Sequence, residues 1–353
     1  MRTIGVCTAA ILAAACCLVA SAPAQEPYKA PPDIVQRILD APRPPSVNPS
    51  PDGKTLLLAE PRGVPTIADF AQPLLRLAGL RINPQTNGPY SVTGFKAIVL
   101  RDVASGQERP IQVPGSAHLG QPMWSPDGHR IAFAHITGTS MELWVADAAT
   151  GTAQRVATGL NGTTPGSVCA WMPRSDALLC RLVPANRGPA PEAARIPTGP
   201  IVQRNEGQAA PVRTFQDLLE SPHDEELFSY YATAQLALVP ATGGQPRPLG
   251  RPAIFTDSDP APGGEVILVS RVQRPYSYQV TINDFPQEVE IWSLTGDRVA
   301  SVASLPLGED APMDGVSPGP RGFTWVAGRP ATLMYVEALD GGDNRRQAAE
   351  RDR

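Results

Sequence analysis

A strand-and-turn unit that recurs along the chain restricts the fold more than any other feature. Gln121 to Ala157, QPMWSPDGHRIAFAHITGTSMELWVADAATGTAQRVA, shows the unit in full. One strand ends at Trp124, and Ser125-Pro126-Asp127-Gly128 turns the chain into a second, Ile131 to Ile136. Gly138-Thr139-Ser140 leads to a third strand, Glu142 to Ala146, and Asp147 to Gly151 turns into a fourth, Gln154 to Ala157. Proline presets φ at the first central turn position, Asp suits the second, and Gly accepts the left-handed exit. Four short antiparallel strands on about 40–45 residues form the repeat of a β-propeller blade.

The turn returns as Pro49-Ser50-Pro51-Asp52-Gly53-Lys54 before Thr55 to Glu60, as Trp171-Met172-Pro173-Arg174-Ser175-Asp176, and as Asp259-Pro260-Ala261-Pro262-Gly263-Gly264. A degenerate copy is Phe323-Thr324-Trp325 followed by Ala331 to Glu337. A second element alternates with the first: Ile98 to Gly106, Leu143 to Gly151, Leu236 to Gly243 and Ile291 to Gly296. Two independent elements in alternation predict an all-β chain, a β-propeller of four-stranded antiparallel blades with partly helical insertions. The fifth repeat breaks off early, so the ring is expected to be incomplete, with unpaired backbone on Thr332 to Val336.

Spacing locates the insertions. Turn prolines at 51, 126, 173 and 262 are separated by 75, 47 and 89 residues, and only the middle step is a bare blade. The excess maps to 62–90 and to 184–231, where a Pro/Gly-rich loop precedes two expected helical pieces. The predicted organisation is a signal peptide at 1–24, an N-terminal helix (Pro31 to Leu39) and linker at 25–48, blades at 49–343 and a polar tail at 344–353. Insertions in a repeat protein collect on one face and often shape a binding mouth; a decorated surface with no ligand is the alternative.

Composition agrees with a turn-rich chain: Pro occupies 40 of 353 positions and charged residues only 18%. A net charge of −4 with interleaved signs argues against nucleic acid as a partner. Arg2, the apolar Ile4 to Ala20 and the small-residue site Ala22-Pro23-Ala24 predict an export signal, hence a periplasmic or secreted protein with no membrane span after cleavage. Acylation of Cys16 or Cys17 is the alternative reading of that segment. Cleavage leaves Cys169 and Cys180 in an oxidising compartment. They are equidistant from the Arg174-Ser175 turn, so a cross-strand disulfide is within reach; two buried thiols are the alternative.

Chemistry-bearing motifs are sparse. There is no HExxH, CxxC or Walker A pattern and no paired histidine spacing, so no metal or cofactor is expected. Gly315-Val316-Ser317-Pro318-Gly319 has the formal GxSxG spacing, but prolines follow and no histidine occurs after His223, so it is read as accidental. Ser221-Pro222-His223-Asp224 caps a helix. Glu225 and Glu226 on it are either first-turn complements to the helix dipole or a clamp for a peptide ammonium.

Longer phrases resemble the propeller portion of exported serine peptidases of the prolyl oligopeptidase family, in the glutamyl endopeptidase branch. They are Leu182 to Gly188, Arg213 to Leu219, Pro222 to Glu225, Tyr230 to Thr233, Arg274-Pro275-Tyr276-Ser277-Tyr278, Gly319-Pro320-Arg321 and Val336 to Asp343. The resemblance implies a propeller that gates and selects peptide substrates for an α/β-hydrolase domain, missing here or separately encoded. It carries over no catalytic residue, and the chain alone is expected to be inactive. If the partner cleaves after Glu, a basic group should meet the acidic side chain, with Arg274, Tyr276 and Tyr278 as the candidate substrate-binding residues. The alternative function is a stand-alone propeller, similar to TolB-like repeats, that binds a protein partner.

Overall fold

The computed structural model describes residues 29–113, 115, 117–193, 214–309, 315–317 and 319–353. The expected signal peptide lies outside them. The chain divides into two units, Met1–Pro42 and Arg43–Arg353. In the first, α1 (Asp33–Leu39) follows Pro31-Pro32 and exposes Ile34, Ile38 and Leu39.

The second unit begins with a blade of β1 (Ser46–Pro49), β2 (Thr55–Pro61), β6 (Phe95–Asp102) and β7 (Glu108–Pro110). Between β2 and β6 lie α2 (Ile67–Phe70) and a small sheet of β3 (Leu75–Leu77), β4 (Leu80–Asn83) and β5 (Gly88–Pro89). The second blade is β8 (Met123–Trp124), β9 (Arg130–Ile136), β10 (Met141–Asp147) and β11 (Ala153–Thr158). Both are up-and-down sheets with strands in chain order.

Blades three and four are fused. β12 (Cys169–Trp171), β13 (Ala177–Leu182), β14 (Thr233–Pro240) and β15 (Arg247–Pro260) continue through β16 (Val266–Val272), β17 (Gln287–Ser293) and β18 (Arg298–Leu305) as one seven-stranded sheet. The fusion runs through β15. Its first part, to Ile254, pairs with β14 as the outer strand of blade three, and Phe255 to Pro260 pairs with β16 as the inner strand of blade four. A fifth blade is represented by β19 (Arg321–Trp325) and β20 (Leu333–Val336). The architecture is a β-propeller.

Hydrophobic cores lie between blades because each strand alternates its side chains across the sheet. Leu57, Ile98 and Leu100 of blade one pack on Ile131 and Phe133 of blade two. Met141, Leu143 and Val156 meet Leu178, Cys180 and Val239 of blade three, and Leu179 and Leu236 meet Phe255, Ile267 and Trp292 of blade four. Inner-strand tryptophans reach back to the preceding blade: Trp124 Nε1 donates to the Asn48 carbonyl, Trp171 to Met123 and Trp325 to Asp259. Blade four carries Pro260 at the matching position, and there the continuous β15 makes the connection instead.

The expected turns form as written. Gly53, Gly128 and Gly264 sit at φ 71, 73 and 75°, and Ser175 takes the same conformation at φ 60°. Ser175 belongs to the neighbouring turn as well: its hydroxyl accepts from Asp127 N and its carbonyl from Arg130.

Two details differ from the sequence expectation. Among the described residues of 184–231 there is one helix, α3 (Pro222–Ala232), and 194–213 lie outside them. Asp217 has a left-handed φ of 59°, which no helix continues through, and its carbonyl accepts from Gly79 N. The segment at 344–353 does not trail away. Glu337 and Leu339 pair through their backbones with Arg353 and Arg351, and Arg321–Asp352, Arg351–Asp340 and Arg353–Glu337 ion pairs hold the return.

Antiparallel order fixes which loops share a face. Within every blade the first and third connections emerge at one end, and the second emerges at the other with the link to the next blade. The second connections of blades one, three and four are the long ones, 62–94, 183–232 and 273–286, against four residues in blade two. All three insertions therefore stand on one face.

Candidate functional site

The insertions share a core of their own. Leu77 and Ile82 from the first, Leu219, Phe228 and Tyr231 from the second, and Val280, Ile282 and Phe285 from the third are buried together over Ile254 and Val272. Phe228 stands edge-on to Tyr276 at 5.0 Å and to Phe285 at 5.7 Å, and Tyr276 stacks on Phe285 at 5.5 Å. Three segments far apart in sequence thus form one cap. Sequence spacing missed the third member, because the degenerate fifth turn gave no proline from which to measure it.

Of the expected site residues, four meet. Arg274 donates to Glu225 Oε2 at 2.6 Å and to Ser229 Oγ at 3.1 Å, with its guanidinium 4.3 Å above the Tyr276 ring. Tyr278 donates to Glu225 Oε1 at 2.7 Å, and Tyr276 Oη lies 3.1 Å from Ser229 Oγ. Burial and the adjacent Glu225 carboxylate push the Tyr278 phenol up to about 12. Glu226 points elsewhere, with its carboxylate 3.8 Å from His223 Nδ1. Both Glu225 oxygens are therefore engaged within the chain, and the two glutamates do not converge. The capping residue is in place, since Ser221 accepts from Asp224 N at 3.2 Å.

Cys169 and Cys180 are directly opposed in the β12–β13 ladder and joined by a disulfide, in the core between blades two and three. In the next position is Arg181, which is 1% exposed and which sequence reasoning did not single out. Its guanidinium donates to the carbonyls of Pro165, Gly166, Ser167 and Phe255 and to the Thr164 hydroxyl. It fastens the link between blades two and three to the inner strand of blade four. Burial lowers its pKa to about 10, and the same desolvation raises the carboxyls of Asp257 and Asp259 on that inner strand.

Beneath the cap are two adjoining cavities. One, of about 790 Å³, is lined chiefly by apolar residues including Phe95, Leu119, Phe133, Leu143 and Val168. The other, of about 720 Å³, is more polar and includes Arg81, Tyr90, Thr163, Thr164 and Asp217. They share Pro89, Met141, Gly166 and Val168 as a common wall. Among the described residues no group of His, Cys, Asp and Glu side chains is placed to hold a metal, and no helix is long and apolar enough to cross a membrane.

Three second-connection insertions thus roof an inter-blade hollow. Two plant proteins give the likeness. "Probable glutamyl endopeptidase, chloroplastic" of Oryza sativa subsp. japonica is 35% identical over 343 residues, covering 92% of this chain and 36% of its own length. The chain resembles the propeller portion of prolyl oligopeptidase-family serine peptidases, in the glutamyl endopeptidase branch. The protein of the same description in Arabidopsis thaliana is 34% identical and is covered over 35% of its length. The chain thus spans about a third of the curated relatives it matches. No family model matches it. Among solved structures, acylaminoacyl peptidase of Pyrococcus horikoshii aligns at a TM-score of 0.38 and 15% identity, over 71% of this chain and 31% of that one. The tricorn protease aligns at 0.41 and 12% identity, over 84% of this chain and 24% of that one.

Proposed function

We propose that this glutamyl endopeptidase-like propeller gates and selects peptide substrates for a serine-hydrolase domain of the prolyl oligopeptidase family. The observation that carries the reading is the convergence of 62–94, 183–232 and 273–286 on one face over adjoining cavities. Blades beneath a cap of this kind restrict entry by size, because an extended peptide passes where a folded chain does not. The apolar cavity suits side chains of an unfolded segment, and the polar one supplies hydroxyls and an ion pair for backbone and polar groups. Arg274, Tyr276 and Tyr278 stand together on the cap, with Glu225 as the counter-charge of Arg274 and the acceptor for Tyr278. Export to an oxidising compartment fits the Cys169–Cys180 bridge.

The test is a fusion of this chain to the hydrolase portion of its rice relative. Replacing 67–89 by a short Gly/Ser link should raise cleavage of an unfolded protein relative to a pentapeptide several-fold. An unchanged ratio in an active, normally melting fusion overturns the gating role.

A further inference from the structure

The apolar and polar cavities are separated by Pro89, Met141, Gly166 and Val168. Three of these make a fixed partition. The Pro89 ring is rigid, Gly166 has no side chain, and Val168 is β-branched, with its carbonyl accepting from Arg181 N. Met141 is different: its side chain is long and unbranched, with three rotatable bonds that let it re-pack.

The thioether also has little to hold it in place. Met141 is 4% exposed and passes between Gly88, which opens β5, and Gly162, in the link from blade two to blade three. A Cβ at Gly88 would fall 2.4 Å from its sulfur, and one at Gly162 would fall 2.9 Å from the sulfur and 3.2 Å from the methyl. Neither glycine has a positive φ, so the backbone does not call for glycine at either place. The room for the methionine does. Blade four has the same strand without this device. Met141-Glu142-Leu143-Trp144 and Val289-Glu290-Ile291-Trp292 are copies, each glutamate accepting from the indole two residues on, at 2.9 and 2.8 Å. Where blade two has the methionine, blade four has a stiff valine, 1% exposed.

The two hollows differ as the two parts of an amino-acid residue differ. The apolar one, about 790 Å³, offers Phe95, Leu119 and Leu143 to a side chain. The polar one, about 720 Å³, is lined by Tyr90, Thr163 and the Arg81–Asp217 ion pair at 2.7 Å, and suits a main chain. Each has the volume of a pocket for a small ligand. We infer that together they are one bipartite site for an extended peptide carrying a large apolar residue such as phenylalanine or leucine. The main chain lies in the polar half, and the Met141 side chain swings aside to let the apolar side chain into the other. This rests on the gating reading and adds which residues of a passing chain are held.

The test uses two fluorophore-labelled hexapeptides, blocked at both ends and differing only as Phe or Ser at one central position. Binding to the purified chain is followed by fluorescence anisotropy, and the Phe peptide should bind at least tenfold more tightly. Ser167 is exposed and lines the apolar cavity, so Ser167→Trp should plug that half and bring the two affinities within twofold, in a protein that melts as the wild type does. Equal affinities in the wild-type chain, or a preference that Ser167→Trp leaves unchanged, overturn the site. Neither result touches gating by size, which the fusion decides on its own. Displacement of the Phe peptide by N-acetylphenylalaninamide at equal concentration would reveal a small-molecule pocket, and overturns the peptide as occupant. A second measurement is made on the wild-type chain with isotope-labelled methionine methyl groups. The Met141 resonance, assigned through Met141→Leu, should shift with the Phe peptide and not with the Ser peptide. Met172, in the core between blades three and four, should stay unmoved by both. A Met141 resonance unmoved by bound Phe peptide overturns the swinging partition.

Discussion

The two faces of the propeller are made from the ends of the same strands, yet they are held together differently. On the turn face the serine and aspartate side chains bond mostly within their own turns, with Ser175 reaching across to the Asp127 turn as the exception. Ser125 donates to Asp127, which accepts from His129 N, and Ser50 and Asp52 repeat the arrangement. On the cap face the partners are remote: Asn87 with Arg187, Arg81 with Asp217, Glu225 with Arg274 and Tyr278. Local turns build a repeating ring, and long-range contacts build a feature that occurs once.

The largest effect should fall on the cap side. Arg181→Met removes a buried guanidinium and takes its donors from the carbonyls of Pro165, Gly166 and Ser167, while the Phe255 carbonyl keeps only the Thr164 hydroxyl. A loss of about 3–5 kcal/mol in denaturant unfolding is expected, comparable with breaking a buried ionic cluster. A loss under 1 kcal/mol, roughly that of one ordinary hydrogen bond, would mean that the link at 164–168 is held by packing alone.

Ser125→Ala tests the turn face. It deletes the bond to Asp127 and the acceptor for Arg130 N, at 2.6 and 2.9 Å. About 1 kcal/mol should be lost, with no change in peptide binding. A change in peptide affinity would dissolve the distinction between the faces.

Protonation separates the regions by sign. Burial opposes ionisation of Asp127, but hydrogen bonds from Ser125 and His129 N outweigh it and leave the carboxyl below its ordinary 3.8. Its contribution is present above 3.8 and is lost as pH falls through the lowered value. Asp257 is raised by burial, so the fold favours its protonated form, and that contribution is lost as pH rises through the raised value. Asp127→Asn should therefore lower the melting temperature at pH 7 and Asp257→Asn should raise it, with both differences vanishing in acid. Shifts of the same sign at neutral pH would refute the contrast.

The smallest effect is spectroscopic. Tyr278→Phe should remove one phenol titrating near pH 12 from the ultraviolet titration while leaving the fold intact. Loss of a phenol titrating near 10 instead would show that Glu225 does not hold Tyr278.

Sequence legibility follows the same division. The blade turns were readable because proline, aspartate and glycine determine each within four residues. The opposition of Cys169 and Cys180 follows from counting outward from Arg174-Ser175, and the ladder pairs those two positions. The cap was legible only as excess length. Glu225 and Arg274 are 49 positions apart, and Asn87 and Arg187 are 100, so no local pattern joins them. The continuous β15 was hidden by Pro248, Gly250 and Pro252, which read as breakers. They are tolerated because that half of β15 is the outer strand of its blade, where a missing N–H deprives no neighbour.

That strand also has a mechanical consequence. Blades three and four share a backbone, so the ring has no hinge at that junction and the two move as one plate. Breathing is left to the junctions fastened by the indole N–H groups of Trp124, Trp171 and Trp325. Amide exchange in β15 should therefore be the slowest of any inter-blade crossing.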